Sequence, residues 1–256
     1  MWRWLFSKKP DFPSYSLLEA EPCRGLPQDL DAQEKSDDFH QRCNRIESEL
    51  CAQATDESTP GFATFLKEGD GLLQFLSPEL KGGCLLAFSS ALRAADYARV
   101  QVPDKKFSYF CSSPAQAVAG IAQFRERETI RHVALDRCPR CNVFMAVDAS
   151  RLNSAANLIR VWKIAKSIEI ARCNLYLDYA RAAAAAGQFL VARDVALELV
   201  GHVTAEDPRP HMLLGTLAPR LRDKKLHREA RRYLEFLHQD AWVAELGAAT
   251  RANKGR

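Results

Sequence analysis

The sequence predicts an α+β protein: a small α/β domain with a partly parallel sheet, followed by an all-α domain built of helical hairpins. Three observations carry this. Short apolar runs alternate with helix-period segments between residues 57 and 149, strand signals vanish after Ser150, and the remainder has alanine-rich helical texture. With 47% hydrophobic and 27% charged residues, the 256-residue chain has ordinary globular usage and enough length to bury a core.

Residues 1–56 read as an N-terminal strap and an amphipathic helix. Pro10, Pro13, Pro22 and Pro27 interrupt regular structure in the strap. Trp2, Trp4, Leu5 and Phe6 either rest at a lipid interface, with Arg3, Lys8 and Lys9 toward acidic headgroups, or fold back onto the protein, the more economical reading for so short a segment. From Asp31 to Ala54, Phe39, Cys43, Ile46 and Leu50 recur at spacings of four, three and four, which puts one apolar stripe on a polar helix.

In residues 57–149 the run Cys84-Leu85-Leu86-Ala87-Phe88 has the length and composition of a buried strand. Ser89 or Ser90 then caps a helix from Ala91 to Val100. Phe107 to Cys111 is the next strand, followed by Ser112 or Ser113 as cap and a helix from Pro114 to about Glu128. His132 to Leu135 and Val143 to Val147 complete the strands, the last forming an antiparallel edge. Residues 84 to 148 are similar to the bacterial SseB-like domain, whose members also run strand, helix, strand, helix, strand.

Residues 150–256 are helical. Arg181 to Ala186 is followed by Gly187, and a second helix carries Phe189, Ala192, Val195, Ala196, Leu199 and Val203 on one face until Pro208 and Pro210 stop it. Gly187, Ala192, Tyr179, Ala180 and Pro208 resemble the pattern of a tetratricopeptide repeat. A looser copy runs from Leu214-Gly215 through Leu226, Ala230, Tyr233, Leu234 and Leu237. Ala192 to Ala230 spans 38 positions against a family period of about 34, and the turn at Arg222 to Lys225 lacks glycine. The resemblance covers roughly residues 174 to 240 and implies stacked helical hairpins that bind another chain.

The sharpest chemical motif is Asp136-Arg137-Cys138-Pro139-Arg140-Cys141. A Cys-Pro-x-Cys turn directs two thiolates at one point, half of a tetrahedral zinc site. No second Cys-x-x-Cys exists, so further ligands come from elsewhere. If the strands run parallel, Cys111 at the end of its strand is the third ligand and Cys173 or a histidine the fourth. A plain structural turn and a redox pair are the other readings; Val143 to Val147 reads as a strand where a thioredoxin-like motif continues as helix, which argues against redox use. Zinc is the one cofactor the sequence calls for.

No nucleotide-binding, hydrolase or metalloprotease motif occurs, so the expectation is a protein without catalytic function. Ser112-Ser113 before a helix could face a phosphate, although serines there more often cap their own helix. With no apolar run long enough for a membrane span and no export signal, a cytoplasmic protein with reduced thiols is expected.

Charge is unevenly distributed. Residues 1 to 70 carry 14 acidic and 8 basic side chains, whereas residues 209 to 256 carry 11 basic and 5 acidic. Either the two ends attract each other or they meet different partners. Arg220, Arg222, Arg228, Arg231 and Arg232, with Lys224 and Lys225, surround the turn of the last hairpin. They predict an adaptor or accessory subunit that binds an acidic protein segment. The alternative is a nucleic-acid-associated accessory protein, which the scarcity of nearby aromatics beyond Tyr233 and Phe236 disfavours.

Overall fold

A computed structural model describes residues 13–20, 27–51, 62–68, 71–77, 80, 82–104, 107–127, 130–140, 144–203 and 206–254. Its elements run α1 (Ser16–Ala20), α2 (Gln28–Glu34), α3 (Asp37–Cys51), β1 (Ala63–Glu68), β2 (Gly71–Leu72), β3 (Gln74–Ser77) and β4 (Gly82–Ala87). Then come α4 (Ala91–Gln101), β5 (Ser108–Ser112), α5 (Pro114–Arg127), β6 (Ile130–Leu135) and β7 (Met145–Asp148). The helical part is α6 (Ala155–Ala185), α7 (Phe189–Glu198), α8 (Pro208–Leu217), α9 (Lys224–Phe236) and α10 (Asp240–Lys254). The fold is α+β with an all-helical C-terminal region. The aromatic residues at 2 to 6 lie outside the described residues.

Two compact units emerge, one of residues 1–12 and 45–167 and one of residues 13–44 and 168–256. Two dividing lines fall within α3 and α6, so α1, α2 and the start of α3 group with the helical C-terminal region. Of the apolar stripe on α3, Phe39 is buried; the side chains of Cys43, Ile46 and Leu50 lie outside the description.

In the first unit β4 and β6 are parallel neighbours, flanked by antiparallel β3 and β7 to give the order β3-β4-β6-β7. The other sheet is β2-β1-β5, all antiparallel. The two sheets meet where Thr64 and Phe88 exchange backbone hydrogen bonds of 2.8 Å. The uninterrupted apolar run of β4 follows from burial on both faces. Leu85 and Ala87 join Phe65, Val133, Ile121, Leu158 and Trp162 on one side. Cys84, Leu86 and Phe88 meet Ala94, Tyr97 and Ala98 of α4 on the other.

Local chemistry sets the helix starts. Ser90 caps α4 by accepting from Arg93 N at 3.3 Å. Ser113 caps α5 reciprocally: its hydroxyl accepts from Gln116 N at 3.3 Å, and its own N–H donates to Gln116 Oε1 at 2.9 Å. Ser112 is buried and donates to the Ala63 carbonyl at 3.2 Å. Both serines of the phosphate reading thus serve the fold.

In the second unit α6 ends at Gly187, whose φ of 78° is open to glycine without strain. Gln188 N reaches the Ala183 carbonyl and Gly187 N the Ala184 carbonyl, the paired bonds of a Schellman cap. The same two bonds recur at the end of α8, where Arg222 takes the left-handed position, and at the end of α9, where His238 does. Buried positions also recur: Ala180 and Leu214, Ala183 and Leu217, Ala192 and Leu226, Ala196 and Ala230, Leu199 and Tyr233 are each 34 positions apart. Ala230 thus lies 34 positions from Ala196 as well as 38 from Ala192.

Candidate functional site

The basic face grows out of the α8–α9 turn. Asp223 caps α9, accepting from Lys225 N at 3.0 Å and Leu226 N at 2.8 Å, and this starts the helix directly after the left-handed Arg222. Leu226, Ala230, Tyr233 and Leu234 are buried, which fixes the rotation of α9. Arg220, Arg222, Lys224, Lys225, Arg228, Arg231 and Arg232 are all exposed. Arg231 pairs with Glu235 at 2.9 Å, an exposed i,i+4 contact worth only about 0.3–0.5 kcal/mol. Phe236 is the one exposed aromatic on this helix, because Tyr233 is buried.

The Cys-Pro-x-Cys turn belongs to the first unit. Asp136 ends β6 with a φ of 51°, and its N–H donates to the Ala87 carbonyl. Its carboxylate accepts from Ser89 N at 2.8 Å and lies 3.5 Å from the Arg93 guanidinium. Arg137 lies 3.8 Å above the Phe75 ring, and Arg140 makes two bonds to Asp96, at 2.9 and 3.3 Å. Gln101 donates to the Pro139 carbonyl. Arg140 and the Gln101 bond thus hold the turn on α4, while Arg137 lies on the Phe75 ring of β3.

Cys138 is buried, and its sulfur accepts from Arg140 N at 3.4 Å. Cys141 lies outside the described residues. Cys111 is exposed on β5, its sulfur 3.6 Å from the Thr64 hydroxyl. Parallel neighbours were the condition for placing Cys111 beside Cys138; instead β5 pairs antiparallel with β1, in the other sheet. Cys173 belongs to the helical unit. Burial, then the hydrogen bond to Asp207 at 3.1 Å, pushes its thiol up to about 12. Among the described residues no group of three or more His, Cys, Asp or Glu is placed to hold a metal.

A third constellation went unread in the sequence. Tyr15 of the strap is fully buried in the helical unit, its hydroxyl 2.8 Å from His211 Nδ1. Its ring is nearly parallel to those of Tyr233 and His211, with centroids at 5.1 and 5.7 Å. Burial pushes the Tyr15 phenol well above its ordinary value, and Tyr233 and Glu229 add to this. Its partners His211 and Tyr233 lie 196 and 218 positions away, so local pattern carries no signal of them.

Comparison with family models, curated proteins and solved structures finds no match.

Also among the described residues, no helix is long and apolar enough to cross a membrane.

Proposed function

We propose that this chain is a non-catalytic adaptor or accessory subunit whose helical unit binds an acidic segment of another protein through Arg220, Arg222, Arg228, Arg231 and Arg232. The observation that carries this is the exposed basic surface formed by the α8–α9 turn and the face of α9 opposite its buried stripe. The 34-position recurrence of buried residues, with Schellman caps at successive turns, supports the tetratricopeptide-like reading of the scaffold. Reversing Arg228 and Arg231 together to glutamate removes two cations from α9 and none of its core contacts. Capture of the partner should weaken by about tenfold or more at low salt, with the thermal midpoint lowered by no more than a few degrees through loss of the Arg231–Glu235 pair. Undiminished capture would leave the basic face without a role.

Nucleic acid is the competing ligand for such a surface. Burial of Tyr233 leaves Phe236 as the one aromatic on α9 exposed for base stacking, which favours the protein partner. Capture that survives nuclease supports this choice.

A cytosolic location with reduced thiols is part of the same proposal, as is zinc at Cys138 and Cys141; Cys111, the third ligand that parallel strands would have supplied, lies on β5 in the other sheet and is left out of it. The backbone N–H on the Cys138 sulfur suits a thiolate and supports the first part. Protein prepared without chelators should carry close to one zinc per chain, and Cys138→Ser should release it. Metal-free protein of unchanged stability would make the turn purely structural.

A further inference from the structure

The helical unit holds a segment of its own chain in the manner of a bound peptide. Residues 13–20 precede the core helices, and α1 is a single short turn. Three side chains dock it. Tyr15 inserts its ring beside Tyr233 and His211, themselves 4.3 Å apart and nearly parallel, and reaches the His211 imidazole with its hydroxyl. Leu17 and Leu18 pack against the cluster that includes Val200, Leu214 and Ala230. At Gly201 an added Cβ would come within 3.1 Å of Leu18, so the missing side chain makes the room Leu18 uses. The Ser16 N–H donates to the Glu229 side chain at Oε1, at 3.4 Å, and this aligns the segment on α9.

The footprint is that of an anchored peptide, with one aromatic in a socket that satisfies its hydroxyl and two leucines on an apolar shelf. The occupant is also acidic in sequence: Tyr15-Ser16-Leu17-Leu18 is followed by Glu19-Ala20-Glu21. The socket is built partly on α9, the helix that carries the basic face.

We propose that Tyr15 to Leu18 is a displaceable occupant of a peptide socket on α7, α8 and α9, and that the protein partner presents the same chemistry in trans: a tyrosine, leucines two and three residues on, then acidic residues. This deepens the adaptor reading and rests on it for the partner, but the socket itself is testable without one. Tethering gives the strap an effective concentration on the order of millimolar. A free peptide of about 10 μM affinity would therefore bind the intact chain roughly a hundredfold more weakly than a chain whose strap has been released.

The experiment uses a fluorescently labelled synthetic peptide of residues 10–22 and reads anisotropy with two full-length proteins, the wild type and Tyr15→Ala/Leu18→Ala. The expected result is saturable binding to the variant and about a hundredfold weaker binding to the wild type. The same peptide with phenylalanine in place of its tyrosine should bind the variant about three- to tenfold more weakly, through loss of the His211 hydrogen bond. Binding to neither protein, equal binding to both, or equal binding of the phenylalanine peptide would overturn the proposal. Should the double variant not fold by circular dichroism, Leu18→Ala alone takes its place, with tenfold tighter binding than wild type expected. Unfolding of both variants would also overturn it, because the strap would then be core. None of these outcomes bears on Arg228 and Arg231, whose charge reversal tests the adaptor reading separately.

Discussion

Single residues do unequal work in the helical unit, and Arg222 shows it. The turn into α9 needs a left-handed residue, and at φ 55° an arginine occupies a position that glycine fills at Gly187. Arg222→Gly should therefore stabilise the fold by about 0.5–1 kcal/mol, read as a higher urea midpoint at unchanged slope. A lower midpoint would show that the arginine side chain holds the turn. Asp207 is a second case. Burial raises its carboxyl, but hydrogen bonds from the Arg209 side chain and backbone, then from Cys173, outweigh this and hold it below the ordinary aspartate value. Its contribution is present above that ordinary value and is lost as pH falls through the folded one. The Cys173 thiol beside it is raised, so its contribution is full below the ordinary thiol value and is lost as pH climbs toward about 12. Asp207→Asn should lower stability at neutral pH and flatten the acid limb of the stability–pH profile. An unchanged acid limb would place that loss elsewhere.

At the scale of elements, close approach is set by small side chains. Ala183 of α6 shares a buried cluster with Ala192 of α7 and Leu217 of α8, so the alanine run ends in a contact among three helices. Ala183→Leu adds three carbons there and should cost about 1–3 kcal/mol by overfilling, measured by chemical denaturation. No change would mean that α6 has room to move aside. Gly215 on α8 has the same character, since an added Cβ would lie 2.6 Å from Leu246 Cδ1 on α10. In the sheets, β4 is the comparable element. Its two buried faces need both α4 and the layer with α5, and this explains why its four apolar residues, Cys84 to Ala87, show no alternation.

Across the whole chain, the acidic and basic ends of the sequence are not kept apart by the division into units. The acidic residues of α2 and the basic residues of α9 belong to one unit, and Glu34 is spent on Arg172 and Tyr176 of α6. The arginines from 220 to 232 are exposed, and on the proposed adaptor reading their summed field should make capture fall as salt rises. The sequence by itself determined the α+β class, strands β4 to β7, helices α4 and α5, and the hairpin that turns at Gly187. Each of these rests on local signals: apolar runs, capping serines and a glycine stop. Strands β1 to β3 went unread because β2 and β3 have only two and four residues, and because the long partner of β1 is β5, more than forty positions away. The basic face was legible since α9 is strongly amphipathic and its arginines fall on the complementary arc. Tertiary structure alone decided that β5 joins β1 and leaves Cys111 in another sheet from Cys138, that Arg140 clamps the cysteine turn to Asp96, and that Tyr15 fills a socket beside His211 and Tyr233. Those choices depend on contacts between residues far apart in the chain, where no periodicity or spacing records which buried polar group will find which partner.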